Sequence, residues 1–182
     1  RDTVLNTAER LFYEEGFHAT GVDRIVKEAG VTRMTLYNHF SSKTELIRAV
    51  LSVRHAHYRT DLQSALERRD EPSSLTAIVA VHEDWLRTRS RRGCMVIKAI
   101  AEFEQQEAAI AREAVAMKQD LLGIIGEALQ LDGLSHKGGA QEVLAVLEGA
   151  NALVPVLGLE NAIVSMWSLL APWLSPLAET DR

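Results

Sequence analysis

At 182 residues the chain can bury the core of one ordinary domain, or of a small domain fused to a medium one. Ala, Leu, Glu, Arg and Gln fill long stretches without proline, and the four prolines (Pro72, Pro155, Pro172, Pro176) all lie beyond the first third. That composition excludes sandwiches and barrels, which need short alternating strands between Gly/Pro turns.

The formal net charge of −5 argues against nucleic acid only until its distribution is read. Residues 1–59 carry nine Lys/Arg against seven Asp/Glu, a balance of +2, whereas the remainder carries eleven against eighteen, a balance of −7. The polarity fits a DNA-binding head on an acidic body. No apolar run is expected to be long enough to span a bilayer, and Arg1-Asp2-Thr3-Val4 shows no signal-peptide pattern, so a cytoplasmic location without membrane attachment is expected. The sequence starts without an initiator Met, which leaves room for a preceding basic arm. The single cysteine, Cys94, excludes an internal disulfide and a multi-Cys zinc site.

The first helix reads from Thr3 to Glu15, with Val4, Leu5, Ala8, Leu11 and Phe12 on one face and Gly16 as its stop signal. Thr20 is expected to cap a short second helix, with Asp23 three residues on and Val22, Ile25, Val26 and Ala29 inward; Gly30 ends it. Thr32 caps a third short helix running through His39, and Ser42 with Glu45 forms a capping box for a fourth that turns Leu46, Ile47, Val50 and Leu51 inward. Glu71-Pro72-Ser73-Ser74 separates this from a fifth helix over 75–88, and Ser90-Arg91-Arg92-Gly93 leads to a sixth over 94–103. A long helix over 107–131, a loop over 132–139 and two apolar helices over 140–157 and 160–174 follow, with Gly158 between the last two and Pro155 kinking the first of them.

The expected fold is all-α with about nine helices: an N-terminal three-helix head over 1–46 containing a helix-turn-helix, and a larger helical body over 47–182. Two short helices joined at Gly30 and braced by a longer one have the proportions of a DNA-binding helix-turn-helix, although plain bundles contain such pairs too. Residue content separates the two. The outer side of the third helix holds Thr32, Arg33, Thr35, Asn38 and His39, all able to hydrogen-bond, and no carboxylate that phosphate would repel.

The run from Ala8-Glu9-Arg10-Leu11-Phe12 through Gly21-Val22, Leu36-Tyr37-Asn38-His39-Phe40 and Lys43-Thr44-Glu45-Leu46 strongly resembles the TetR/AcrR family of repressors. The likeness covers the first 50 residues, and Arg92-Gly93-Cys94 leading into Ala99 and Glu102 looks like a subgroup pattern. Carried over by position, the resemblance puts Thr32 and Arg33 against base edges, with Arg33 the candidate for a bidentate contact to guanine. Thr35, Tyr37, Asn38, His39 and Lys43 match phosphate-gripping positions, and Thr20 with the second-helix N-terminus approaches the backbone. Met34 contacts a thymine methyl or packs. Phe40 is expected in the core, and Tyr37 packs its ring while offering its hydroxyl outward.

The resemblance further implies a small-molecule cavity in the body, with candidate lining residues Trp85, Met95, Phe103, Met117, Leu121, Leu147 and Asn151. Glu83, Asp84, Lys98, Glu102 and Glu148 are other candidate polar contacts. The last two helices are apolar nearly all round, which calls for burial on both sides, and the resemblance supplies a symmetric homodimer as the reason, with Val143, Ile163, Met166, Trp167 and Leu170 as candidate seam residues.

The expected function is a repressor that binds a palindromic double-stranded operator as a homodimer and is released by a small, largely apolar effector. The alternative is a DNA-binding regulator controlled by a protein partner, distinguished by an exposed apolar groove in place of an enclosed cavity. No catalysis, cofactor or metal is expected. His55 and His57 face different sides of a helix, and His82, Asp84 and Cys94 lack an oxyanion turn, so Cys94 reads as a buried, inert thiol.

Overall fold

The computed structural model describes residues 1–69, 71–134 and 138–174. Pro176 and positions 135–137 of the expected loop lie outside them. The described residues form nine α-helices and no strand: α1 (Asp2–Glu15), α2 (Val22–Ala29), α3 (Arg33–Tyr37), α4 (Lys43–Arg68), α5 (Ser74–Thr88), α6 (Met95–Phe103), α7 (Ala108–Leu131), α8 (Gly139–Leu157) and α9 (Leu159–Leu174).

Local chemistry explains most of the boundaries. The Thr32 hydroxyl accepts from the Thr35 N–H at 3.1 Å and starts α3; Ser73 does the same for Thr76 and starts α5. At the start of α4 the Ser42 hydroxyl accepts from the Glu45 N–H, while the Glu45 carboxylate reaches back to the Ser41 N–H at 2.6 Å. The tight turn between α2 and α3 depends on Gly30, whose φ of 65° puts it in the left-handed region, and the Val31 N–H then bonds the Val26 carbonyl at 3.0 Å.

One expected cap fails. Gly21, not Thr20, caps α2, because Thr20 is fully buried and its hydroxyl donates to the Gly16 carbonyl at 2.8 Å, satisfying the end of α1 instead. The expectation about apolar length also fails: α8, with 19 residues and a mean hydropathy of 1.3 over its most apolar window, is long and apolar enough to cross a membrane by length and composition. Here it packs against α9 and α5. Cys94 is half-buried rather than buried, since it stands just before the first turn of α6.

The chain divides into two compact units. The first contains residues 1–57 and 95–118, so α6 and the start of α7 belong to it together with α1–α3. Its core holds Leu11, Phe12, Ile25, Leu36, Phe40, Leu46 and Ile47, with Phe12, Phe17 and Phe103 in a chain of rings whose successive centroids are 5.4 Å apart. The second contains residues 58–94 and 119–182, and its core joins Leu62, Leu75, Ile78, Leu86, Ile125, Leu147 and Met166 from five helices. In this unit the Asp132 carboxylate caps α5 from outside, accepting from the Ser74 and Leu75 N–H groups at 2.8 Å each.

Candidate nucleic-acid interface and body site

In the first unit α3 buries Leu36 and turns outward Arg33, Met34 and Tyr37, with Asn38 and His39 following, all exposed; Met34 is 74% and Tyr37 47% exposed. Thr32 and Thr35 bond each other, hydroxyl to hydroxyl, at 2.9 Å. Thus seven of the nine expected DNA-contacting residues share one short helix and its two flanks. The other two differ. The Thr20 hydroxyl is committed internally, and Lys43 is half-buried, its ammonium held below the usual lysine range by desolvation, which the carboxylates of Glu107 and Glu102 partly oppose.

Arg33 does not stand alone. Its Nε donates to Oδ1 of Asp23 and its Nη2 to Oδ2, both at 2.5 Å, forming a side-on fork across the α2–α3 turn. The hydrogen bond to Arg33 holds the Asp23 carboxyl below its usual range, and Arg33 is raised in turn. Other head cations are paired as well: Arg24 with Glu28 and Glu15, Arg10 with Glu28 and Glu14. By sequence alone Asp23 is only a helix-start residue. No periodicity signals a partner ten residues away across a turn.

In the second unit, Tyr58 and His82 meet at 2.7 Å between the phenol oxygen and Nδ1, while His82 Nε2 lies 3.1 Å from the Leu147 carbonyl. These distances fit a Tyr58 O–H donating to Nδ1 and an Nε2–H donating to Leu147. The Asn151 amide donates to Glu148 Oε2 at 3.2 Å, but its Oδ1 is buried with no hydrogen-bond partner among the described residues. Trp85 stacks edge-on with Tyr58 at 4.7 Å and donates its indole N–H to Asp61 at 2.8 Å. Burial above all pushes the Tyr58 phenol well above its ordinary value.

The candidate effector residues therefore split between the units. Trp85, Leu121, Leu147 and Asn151 are buried in the second, where Trp85 also borders a cleft of about 310 Å³ with Asp61, Ser64, Val81 and Asp84. Met95, Phe103 and Met117 belong to the first, where Phe103 is enclosed by Phe17 and by the His18 ring at 5.0 Å. Tyr58 was not singled out from sequence, and His82 was considered only for catalysis.

Most of the candidate seam residues lie inside one chain's own core. Val143, Ile163, Met166 and Leu170 are 4% exposed or less, because they fill the second unit's own core. Trp167 is half-buried and donates to Glu83 at 2.6 Å. The exposed large apolar side chains of the same two helices are Leu153, Val156, Leu157, Val164 and Leu169, between 38% and 75% exposed. A groove of about 250 Å³ lies on these helices, lined by Val146, Gly149, Leu153, Leu157, Met166 and Leu169.

The head geometry defines a helix-turn-helix DNA-binding protein. Residues 4–50 match the family of bacterial regulatory proteins described as tetR family. A TetR-family transcriptional regulator from Streptomyces coelicolor shares 30% identity over 96% of each chain, with a TM-score of 0.80. The transcriptional regulator TtgR of Pseudomonas putida is 26% identical over the whole of this chain and 86% of its own. The transcriptional activator FasR of Mycolicibacterium smegmatis is 33% identical over 63% of this chain, an alignment spanning about half (52%) of that relative. The chain belongs to the TetR family and is a DNA-binding transcriptional regulator rather than an enzyme.

Proposed function

We propose that this regulator is a cytoplasmic homodimeric repressor whose head, residues 1–46, holds a palindromic operator and whose body, residues 47–182, dimerises and binds a small, largely apolar effector that releases the DNA. The effector part rests on the orphaned Oδ1 of Asn151, a residue 3% exposed beside His82 and Glu148. A buried acceptor without a donor costs about 1–3 kcal/mol, a cost that a ligand hydroxyl or N–H would remove. The exposed apolar surface of α8 and α9 supports the dimer, since a second copy would cover Leu153, Val156, Val164 and Leu169 on both chains at once. Base contacts fall to Thr32, Arg33 and Met34, and phosphate contacts to Thr35, Tyr37, Asn38, His39 and Lys43.

The test is a titration of small molecules selected by thermal shift, carried out with and without operator DNA. A ligand that releases the DNA and binds more weakly in its presence supports the reading. Ligands that bind equally well in both conditions, or a regulator that releases DNA only with a protein in its groove, refute it.

A further inference from the structure

We infer that Asp23 is the positioning residue for base recognition by Arg33: its carboxylate holds the guanidinium side-on, so that the end-on edge formed by Nη1 and Nη2 faces O6 and N7 of a guanine. The inference rests on α3 reading DNA as proposed above. The fork uses Nε and Nη2, and among the described residues Arg33 has no other hydrogen-bonding partner. Both Nη1 protons and one Nη2 proton remain, which is the pair of donors a guanine edge accepts.

The pair does little for the fold. Its side chains are 64% and 70% exposed, and ion pairs so open to water add little stability. Its consequence is orientation. An unrestrained arginine must give up rotamer freedom to clamp a base, whereas one already held pays less on binding. Asp23 is also an acid next to a surface meant for phosphate, and Arg33 offsets its charge. Stripped of Arg33, it would repel the DNA. Loss of the arginine alone is therefore worse than loss of both residues.

The test uses the full chain and a duplex selected by the wild-type protein from a random-sequence pool. Replacing the recognised guanine by 7-deazaguanine, which lacks the N7 acceptor, should weaken wild-type binding about tenfold. For Asp23→Ala that penalty should fall below about twofold while affinity for unrelated duplex rises, because one negative charge has gone. Arg33→Ala should bind the selected duplex more weakly than the Asp23→Ala/Arg33→Ala double variant. Unchanged thermal midpoints would exclude a folding defect. A full 7-deazaguanine penalty in Asp23→Ala, or a double variant weaker than Arg33→Ala, overturns the inference while leaving operator binding intact. Failure of the wild type to select any duplex overturns the DNA reading itself, and appears in the wild-type arm alone.

Discussion

Trp167 on α9 donates its indole N–H to Oε2 of Glu83 on α5 at 2.6 Å, and the other oxygen of the same carboxylate accepts from Arg87, which also forks Glu160 at the start of α9. A four-residue polar clasp thus ties α9 to α5 within one chain. Trp167→Glu would set two carboxylates against each other and remove the ring. The expected loss is about 2–4 kcal/mol of unfolding free energy, read from the urea midpoint. A midpoint within experimental scatter of wild type would show the clasp to be dispensable.

Subunit pairing should respond to different residues. Val164→Glu and Leu169→Glu place charges on side chains that are 65% and 64% exposed in one chain, so a lone subunit tolerates them. At a two-fold seam each charge would be buried without a partner. Sedimentation should show monomers for both variants at concentrations where wild type is dimeric. Persistent dimers would place the seam elsewhere.

In the head, Arg33→Ala should lose about 5–150-fold in operator affinity, with relaxed preference at one base position per half-site. Lys43→Ala should instead weaken all duplexes alike and lower the slope of log affinity against log salt by about 1. Equal loss of base preference in both variants would contradict this division. Thr20→Val removes a hydroxyl already bound to the Gly16 carbonyl, so its expected effect is about 1–2 kcal/mol of stability with base preference intact.

Effector and operator should oppose each other. A coupling of roughly 1–3 kcal/mol would lower operator affinity about 5–150-fold, and the operator must weaken the effector by the same factor. Asn151→Leu, which removes the orphaned acceptor, should weaken a hydrogen-bonding effector while leaving operator affinity without effector unchanged. An effector insensitive to that substitution would bind away from Asn151.

Tyr58 gives a pH signature. Its phenol is raised in the folded state, chiefly by burial and further by the charges of Glu148, Cys94 and Asp61. The unfolded chain ionises near pH 10, so the folded state keeps this stabilisation below about pH 10 and loses it as the pH climbs toward the folded value. Urea midpoints should therefore fall more steeply above pH 10 in wild type than in Tyr58→Phe. Parallel slopes would mean that the phenol is not shielded.

The nine helices of the described residues were legible in the sequence, most ends to within a residue, because caps, stop glycines and apolar spacing act within a turn or two of the residues that carry them. Thr32, Gly16 and Gly30 each mark an end that the structure reproduces. The acid-free outer side of α3 pointed to DNA for the same reason, whereas the run from Leu36 to Phe40 did so through its resemblance to the TetR/AcrR family. A five-residue helix has few faces, and Leu36 fixes which one is inward.

Which apolar side chains of α8 and α9 were spare was decided only by packing. Both helices are apolar nearly all round, so hydropathy alone could not tell Val143, Ile163 and Leu170, consumed by the core, from Val156, Val164 and Leu169, left outside. The same holds for polar partners. Thr20 with Gly16, Arg33 with Asp23, and Trp167 with Glu83 are 4, 10 and 84 residues apart. Local propensity determines where a helix begins and ends, but a side chain's partner depends on where the fold brings another element, and that position is fixed by burial summed over the whole chain.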